Sequence, residues 1–217
     1  MLEALTVGPI GERCYILPGD DESSCVLVDP GDEAPRILEL LDSRGLRVSH
    51  IVLTHGHLDH VAAIPELLAA LAPRGERPLL AIHAADAHYL GPEGEESNRR
   101  VFVAIRATGY FRHYWRPLPP ADLILEDGQL IPGSSWKVIH SPGHTAGSIC
   151  LLNEGLGVLV SGDTLFESGM GRTDGPDSDP EALARSITER LFVLPGDTAV
   201  LPGHGEATTI ARERGGD

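Results

Sequence analysis

The chain has 217 residues, 41% of them apolar and 23% charged, which indicates a globular protein with a substantial core rather than a disordered chain. Its formal net charge of −15 at pH 7 argues against a nucleic-acid partner, because phosphate binding needs clustered positive charge. No apolar run approaches the roughly 20 residues that span a bilayer and no secretory signal is visible, so we expect no membrane partner.

Strand and helix patterns follow one another in the first half. The segments "CYIL" and "SCVLVDPG" predict two strands, and "DEAPRILELLDSRG" predicts a helix that ends at Gly45. "HIVLTH" and "PLLAIH" predict two buried strands. Between them, "DHVAAIPELLAALA" predicts one helix with Pro65 in its first turns, where a missing N–H costs least.

The second half is rich in strand patterns. "ADLILEDGQLI", "WKVIHSPGH", "SICLLNEGLGVLVSGD" and "TAVLPGHG" predict strands, and "PEALARSITERLFVL" predicts a helix before the last of them. Strands outnumber helices and alternate with them only in part. The pattern therefore predicts a mixed sheet with helices packed outside it, in one domain over residues 1–217 with an insertion at about 84–120.

That insertion is basic and aromatic in an otherwise acidic protein. Five of the sixteen arginines and half of the ten Phe, Trp and Tyr residues lie between residues 99 and 116. We expect Ser97 to cap a helix that bears Val101, Phe102 and Ile105, followed by an aromatic loop closed by prolines.

Side chains that bind metals follow four of the strand-like runs. A loop at a strand end is where a rigid sheet presents reactive groups, and after three of these four runs a glycine directly precedes the ligand. The candidate metal ligands are His55, His57, Asp59, His60, His144, Asp163 and His204.

The spacing within HGHLDH predicts two neighbouring metals. In an extended loop His55 and His57 project to the same side, whereas Asp59 and His60, at a helix start, point to a different centre. Five imidazoles and two carboxylates suit zinc, with iron or manganese as alternatives. A structural zinc site would be closed and rich in cysteine, so this set favours catalysis.

Four motifs carry a resemblance to a known family. HGHLDH, PGHT at 142–145, SGDTLF at 161–166 and GHG at 203–205 resemble the metallo-β-lactamase fold family, and within it the glyoxalase II-like hydrolases. The resemblance covers nearly the whole chain. It implies an α/β fold, an αββα sandwich of two mixed sheets flanked by helices with the metals at one edge.

The resemblance also allocates the ligands. It implies that His55, His57 and His144 hold the first metal and that Asp163 bridges both metals together with a hydroxide. The second metal would be held by Asp59, His60 and His204. This hydroxide would attack an acyl carbon while a metal stabilises the developing oxyanion, with Asp59 counted as a catalytic residue.

The leading hypothesis is hydrolysis of a small anionic acyl-thiol thioester, as in hydroxyacylglutathione hydrolases. One alternative is a persulfide dioxygenase, in which a single iron is held at the positions of His55, His144 and Asp163, because the "GRTD" segment is similar to that group as well. A lactonase or β-lactamase on the same fold and a non-enzymatic metal-dependent binding module are further alternatives.

Two interpretations of the basic, aromatic segment remain open. It could be a surface subdomain, or a substrate wall in which arginines bind carboxylates and aromatic rings cover the acyl or thiol part. The second interpretation makes Arg112, Tyr114 and Arg116 substrate-binding candidates. Arg172 in "GRTD" is a separate candidate, and Asp29 in "VDPG" is expected to orient a metal ligand.

Cysteine content bears on the compartment. Cys14, Cys25 and Cys150 cannot all pair with one another and form no CxxC motif, so we expect reduced thiols in a cytoplasmic protein. We expect a monomer or a homodimer.

Overall fold

A six-stranded mixed sheet forms the first half of the computed structural model, which describes residues 2–215. The first three strands are antiparallel neighbours, and the third to the sixth run parallel. In chain order, which is also their order in the sheet, they are β1 (Glu3–Val7), β2 (Glu12–Pro18), β3 (Ser24–Val28), β4 (Arg47–Val52), β5 (Leu79–His83) and β6 (Leu123–Leu125).

The second half adds a five-stranded sheet and a short hairpin. The strands of this half are β7 (Lys137–His140), β8 (Ile149–Asn153), β9 (Val158–Gly162), the hairpin strands β10 (Leu165–Phe166) and β11 (Gly169–Met170), β12 (Ala199–Pro202) and β13 (Thr208–Thr209). The sheet order is β13-β12-β9-β8-β7, with β9 and β12 parallel and the other pairs antiparallel.

Helices connect and cover the strands. They are α1 (Ala34–Arg44), α2 (Leu58–Val61), α3 (Ile64–Leu71), α4 (Gly94–Ala104), α5 (Thr108–Tyr114), α6 (Pro180–Arg185) and α7 (Ile210–Glu213). Single 3-10 turns lie at Ala72–Arg74, Ala84–Tyr89 and Gly91–Glu93, and a π-helical turn at Ser186–Leu191 extends α6. Within residues 2–215, no helix is both long and apolar enough to cross a membrane.

Alternating side chains show how the layers stack. In β3, Cys25 and Leu27 pack outward against the helices that follow, whereas Val26 and Val28 pack inward toward the second sheet. In β8, Leu151 packs inward and Cys150 packs outward, in the core shared with α6. Because residues on a strand alternate between two faces, each sheet has one face on the central core and one under helices. The αββα sandwich is confirmed.

Several helix boundaries differ from the sequence predictions. The single helix expected over "DHVAAIPELLAALA" is divided into α2 and α3, and Pro65 lies in the first turn of α3, where it lacks no helical hydrogen bond. Ser97 does not cap α4, which begins at Gly94, three residues earlier, and Ser97 is buried within the helix. The expected aromatic loop is helix α5, in which Tyr110 and Tyr114 stack on each other.

The basic, aromatic segment packs on the outer face of the first sheet. Tyr89, Leu90, Val101, Phe102 and Leu118 are buried in the same core as the residues of α1 and α3. Burying each large apolar side chain contributes about 1.5–3 kcal/mol, so the segment is held to the sheet by its own core residues. Its aromatic rings are therefore held in place by this core, and the Tyr89 ring lies 5.5 Å from the ring of His57, which follows β4.

Candidate metal centre

Strand ends bring the seven candidate ligands to one edge of the sandwich. His55 and His57 follow β4, and Asp59 and His60 lie on α2 directly after them. The other three ligands come from the second sheet: His144 from the β7–β8 loop, Asp163 after β9 and His204 after β12. Because β9 and β12 are parallel and Pro202 pairs with Gly162, the loops that bear Asp163 and His204 leave the sheet next to each other.

The ligand atoms form two groups. In the first, one ligand atom each from His55, His57 and His144 lies within 4.8 Å of the other two, and Nε2 of His144 is 3.0 Å from Nδ1 of His57. In the second, the ligand atoms of Asp59, His60 and His204 also lie within 4.8 Å of one another. Nε2 of His204 is 3.4 Å from Oδ2 of Asp59. A third set, Asp29, His55 and His60, also has ligand atoms within 4.8 Å of one another and so adjoins both groups.

Asp163 lies between the two groups. Its Oδ2 is 3.6 Å from Nε2 of His144 in the first group and 3.8 Å from Nε2 of His204 in the second. Its Oδ1 is 3.5 Å from Nε2 of His60. One carboxylate can therefore reach a cation in either group.

Buried atoms without partners provide a test of fit for a metal. Nε2 of His55, Nε2 of His60 and Oδ1 of Asp163 are buried, and none has a hydrogen-bond partner among the described residues. An unsatisfied buried polar group costs about 1–3 kcal/mol, so three together at one point need a ligand. Imidazole and carboxylate donors without thiolate suit zinc, iron or manganese, and divalent cations fit this set.

Hydrogen bonds on the far side of the rings fix which nitrogen faces the centre. Nδ1 of His60 donates to Oδ2 of Asp29 at 3.0 Å, and Nδ1 of His144 donates to the carbonyl oxygen of Arg172 at 2.8 Å. In both rings this bond turns Nε2 toward the centre, where it can act as a ligand. Asp29 thus orients a candidate ligand, and it also accepts the backbone N–H of Thr54 at 2.7 Å.

Burial keeps two histidines of the first group neutral. Burial lowers the pKa of His55 and of His57 well below the usual range, and neighbouring imidazoles lower both further. A neutral imidazole is the form that binds a metal. In the second group, burial would raise the pKa of Asp59, but His60 and His204 lower it below its usual range, so Asp59 is a carboxylate.

Asp86 is a supporting residue that no sequence pattern indicated. Its carboxylate is fully buried and accepts three hydrogen bonds: from the backbone N–H of Gly56 at 3.1 Å, from the Thr145 hydroxyl at 2.7 Å and from the backbone N–H of Gly147 at 2.7 Å. Burial raises the pKa of Asp86 despite these bonds. The residue ties the loop of His55 and His57 to the loop of His144.

The glycine of the last motif is needed for close approach. A Cβ at Gly203 would collide with the Asp163 carboxylate and with the His60 ring. The "PGH" ending of β12 therefore lets the chain pass directly behind the second group before His204 returns to it.

A cavity of about 410 Å³ opens over both groups. Its lining includes His57, Asp59, His144, Asp163 and His204, with Arg172 at the rim. Arg172 is engaged in a bidentate ion pair with Asp174, at 3.0 Å and 2.7 Å. The volume lies within the range of about 300–1,000 Å³ that is typical of small-molecule sites.

The other substrate-binding candidates are placed elsewhere. Tyr114 and Arg116 line a separate groove with Asp32, Glu33 and Glu66, and the exposed Arg112 lines neither space. The guanidinium group of Arg116 donates to the backbone carbonyls of His113 and Trp115. The basic, aromatic segment does reach the cavity, but through different residues: Val101, Phe102, Ile105, Ala107 and Tyr110.

Comparison with known sequences identifies relatives over nearly the full length of the chain. The family model of the metallo-beta-lactamase superfamily matches residues 7–204. The chain is 34% identical over 212 residues to the probable metallo-hydrolase YqgX of Bacillus subtilis, covering 97% of this chain and 92% of that protein. It is 31% identical over 221 residues to the hydroxyacylglutathione hydrolase GloC of Haemophilus influenzae, covering 98% and 94%.

Solved structures show the same fold. The chain superposes on the B3 metallo-beta-lactamase BLEG-1 with a TM-score of 0.83 and 32% identity, covering 99% of this chain and 97% of that one. It superposes on TTHA1623 in a di-iron-bound form with a TM-score of 0.80 and 35% identity, covering 98% and 96%.

Proposed function

The chain belongs to the metallo-β-lactamase superfamily, and from this premise we propose that it is a binuclear metallo-hydrolase that cleaves a thioester into a carboxylic acid and a thiol. The observation that carries the proposal is the pair of ligand groups, one of three histidines and one of two histidines and an aspartate, joined by Asp163 beneath an open cavity. One group would suffice for a single ion. The second group, with its own aspartate and two imidazoles, favours a second ion.

Each ligand has a defined task in this proposal. His55, His57 and His144 would hold one ion, and Asp59, His60 and His204 the other, with Asp163 between them. When bound, two divalent cations would supply a nucleophilic water at neutral pH and polarise the acyl carbonyl. We expect zinc, with iron as the main alternative because a similar structure is described as di-iron-bound.

The protein's own groups would orient the reaction. Asp59, a carboxylate that lines the cavity, would accept a hydrogen bond from the attacking water and hold it against the acyl carbon. The water oxygen forms the new C–O bond, the C–S bond breaks, and the sulfur departs as a thiolate that takes up the released proton. Because a thiolate is a stable leaving group, the step needs no strong general acid.

The choice of a thioester rests on relatives rather than on geometry. GloC, whose name states hydrolysis of a hydroxyacylglutathione, is similar over 98% of this chain. The apolar side of the cavity would accommodate the acyl or thiol group of such a substrate.

A β-lactam is the second candidate substrate, since the chain superposes with 32% identity on a structure described as a B3 metallo-beta-lactamase. Both reactions add a metal-activated water to an acyl carbon, so the same seven side chains would serve either. Rates on the two substrate classes decide between them.

The test combines metal analysis with His204→Ala, a change confined to the second ligand group. We expect about two zinc ions per purified chain, thioester hydrolysis that chelation abolishes and added metal restores, and one ion per chain with at least a hundredfold loss of kcat in the variant. His113→Ala, at an exposed position of α5, is the matched control and should keep both ions and full activity. One iron per chain, with oxygen uptake on a persulfide and no thioester cleavage, would instead support a dioxygenase.

A further inference from the structure

The cavity wall facing the metal centre is apolar and comes from the basic, aromatic segment. Val101, Phe102 and Ile105 contribute from the end of α4, and Ala107 and Tyr110 contribute from the start of α5. Phe166 and Ile10 line the cavity as well. The side chains that flank the metal centre are therefore mostly hydrocarbon, although the segment is rich in arginine.

A tight turn between α4 and α5 orients this wall. Arg106 has φ of +61°, and the N–H of Ala107 donates back to the carbonyl of Phe102 at 2.7 Å, which closes α4. The Phe102 and Tyr110 rings then stack with centroids 5.3 Å apart and planes inclined by 10°. Because Phe102 is anchored in the core below, the wall is preformed.

Outside the proposed metal ligands, the described part of the cavity lining offers no free cationic side chain for a negatively charged thiol such as glutathione. Among the described residues that line it, Arg172 is the one arginine or lysine, and Asp174 already binds its guanidinium group through two oxygens. Asp174 balances the charge of Arg172, and Asp59 and Asp163 would balance part of the charge of the bound cations. Glutathione carries two carboxylates at neutral pH, and no free arginine or lysine of the lining is available to bind either of them.

We infer that the substrate is a thioester with an uncharged, apolar group of about the size of an aromatic ring beside its carbonyl, bound against Phe102, Ile105 and Tyr110. This inference rests on the proposed thioester hydrolysis and replaces the anionic substrate expected from sequence. A cavity of about 150 Å³ lined by hydrocarbon suffices for benzene, so a cavity of 410 Å³ holds a ring together with the reacting carbonyl.

A panel of matched thioesters tests the inference. Acetyl and phenylacetyl groups are placed on N-acetylcysteamine, which is neutral, and on glutathione, which is anionic. A fifth compound, S-benzyl thioacetate, moves the ring to the thiol side. Each kcat/KM is divided by the uncatalysed hydrolysis rate at the same pH, which removes differences in intrinsic reactivity.

We expect a kcat/KM at least tenfold higher for a compound with a ring than for S-acetyl-N-acetylcysteamine, and a higher value for each neutral thioester than for its glutathione counterpart. A gain with phenylacetyl assigns the wall to the acyl group, and a gain with S-benzyl thioacetate assigns it to the thiol. Equal values for all five compounds, or preference for the glutathione pair, would overturn the inference. Hydrolysis of none of them would overturn the proposed function itself.

Two substitutions at the C-terminal end of α4, one in its last turn and one directly after it, distinguish an effect of the wall from a general effect on the helix. Ile105→Ala removes part of the wall and should reduce the ring preference at least threefold, through a higher KM for the compounds with a ring. Val103→Ala is the matched control, because Val103 is on the same helix but is 48% exposed and does not line the cavity. The ring preference should be unchanged in this control.

Ala107→Leu provides an independent test if Ile105→Ala lowers the yield of folded protein. The larger side chain narrows the cavity, so the compounds with a ring should lose at least tenfold more in kcat/KM than the acetyl compound loses. An unchanged ring preference in both Ile105→Ala and Ala107→Leu would contradict the placement of the apolar group on this wall.

Discussion

At the scale of single residues, the metal centre depends on which nitrogen each imidazole presents. Asp29 is the clearest case, because its carboxylate is buried and accepts from both the Thr54 N–H and Nδ1 of His60. An ionised carboxylate can only accept hydrogen bonds, so it fixes the proton of His60 on Nδ1 and leaves Nε2 for the centre. The residue has φ of +49°, a conformation that asparagine also tolerates.

Asp29→Asn should therefore weaken metal binding without disturbing the backbone. In one orientation of the new amide its NH₂ group faces the N–H of Thr54, and in the other it faces Nδ1–H of His60. His60 can therefore keep its present tautomer only if one of these hydrogen bonds is lost. Changes of this kind typically cost about 10–100-fold in metal affinity. Competition with a chelator measures the affinity for the second ion.

The control for this substitution is Asp21→Asn in the exposed turn before β3, at the opposite end of that strand from Asp29. It makes the same chemical change far from the centre and should leave both metal affinities as they are. Equal affinities in the protein and in Asp29→Asn would show that the Asp29–His60 hydrogen bond does not set the ligand.

At the scale of elements, two ligand loops from different sheets are joined by one side chain. Asp86, from the 3-10 turn after β5, bonds to Gly56 between the first two histidines and to Thr145 and Gly147 beyond the third. The three histidines of the first group thus come from loops whose relative position is set by a residue that bonds to backbone and hydroxyl groups beside them. This turn contributes no candidate metal ligand itself.

Asp86→Ala should leave three buried donors without an acceptor. At about 1–3 kcal/mol for an unsatisfied buried group, and with some relief from water, we expect the free energy of unfolding to fall by about 3 kcal/mol, measured by urea denaturation of the metal-free protein. The kcat should fall more than the KM rises, since the first group loses its geometry. Thr145→Ser keeps the hydroxyl donor and should retain stability within about 1 kcal/mol. Unchanged stability and kcat in Asp86→Ala would contradict this role.

The same elements show how far sequence reasoning extends. Each candidate metal ligand follows an apolar run that sets a strand end, so the meeting of these residues at one edge could be predicted from local patterns and the family resemblance. Asp86 could not, because its partners lie 30 to 61 residues away in the chain. The position of α5 depends on one turn at Arg106 with a positive φ, and no periodicity predicts that Tyr110 rather than Tyr114 lines the cavity.

At the scale of the whole molecule, the centre lies where the two sheets meet. Four candidate ligands follow β4 of the first sheet and three come from the second. Direct hydrogen bonds also join the two sheets at this edge: the N–H of Arg13 on β2 donates to the carbonyl of Gly203 at 2.8 Å, and the buried Tyr15 hydroxyl donates to the carbonyl of Pro202 at 2.7 Å. Bound cations would therefore connect the two halves of the sandwich as well as serve the reaction.

Metal removal should consequently lower the melting temperature of the whole chain. A ligand present at a thousand times its dissociation constant stabilises the folded state by about 4 kcal/mol. For a chain of this size each kcal/mol corresponds to roughly 2–4 °C, so chelation should lower the Tm by about 10 °C and returned zinc should restore it. His204→Ala, which lacks a ligand from the second sheet, should show a smaller difference between its metal-loaded and chelated forms. Calorimetry measures both proteins, and a Tm that is equal with and without metal would mean that the sandwich is held together by its apolar core and direct hydrogen bonds alone.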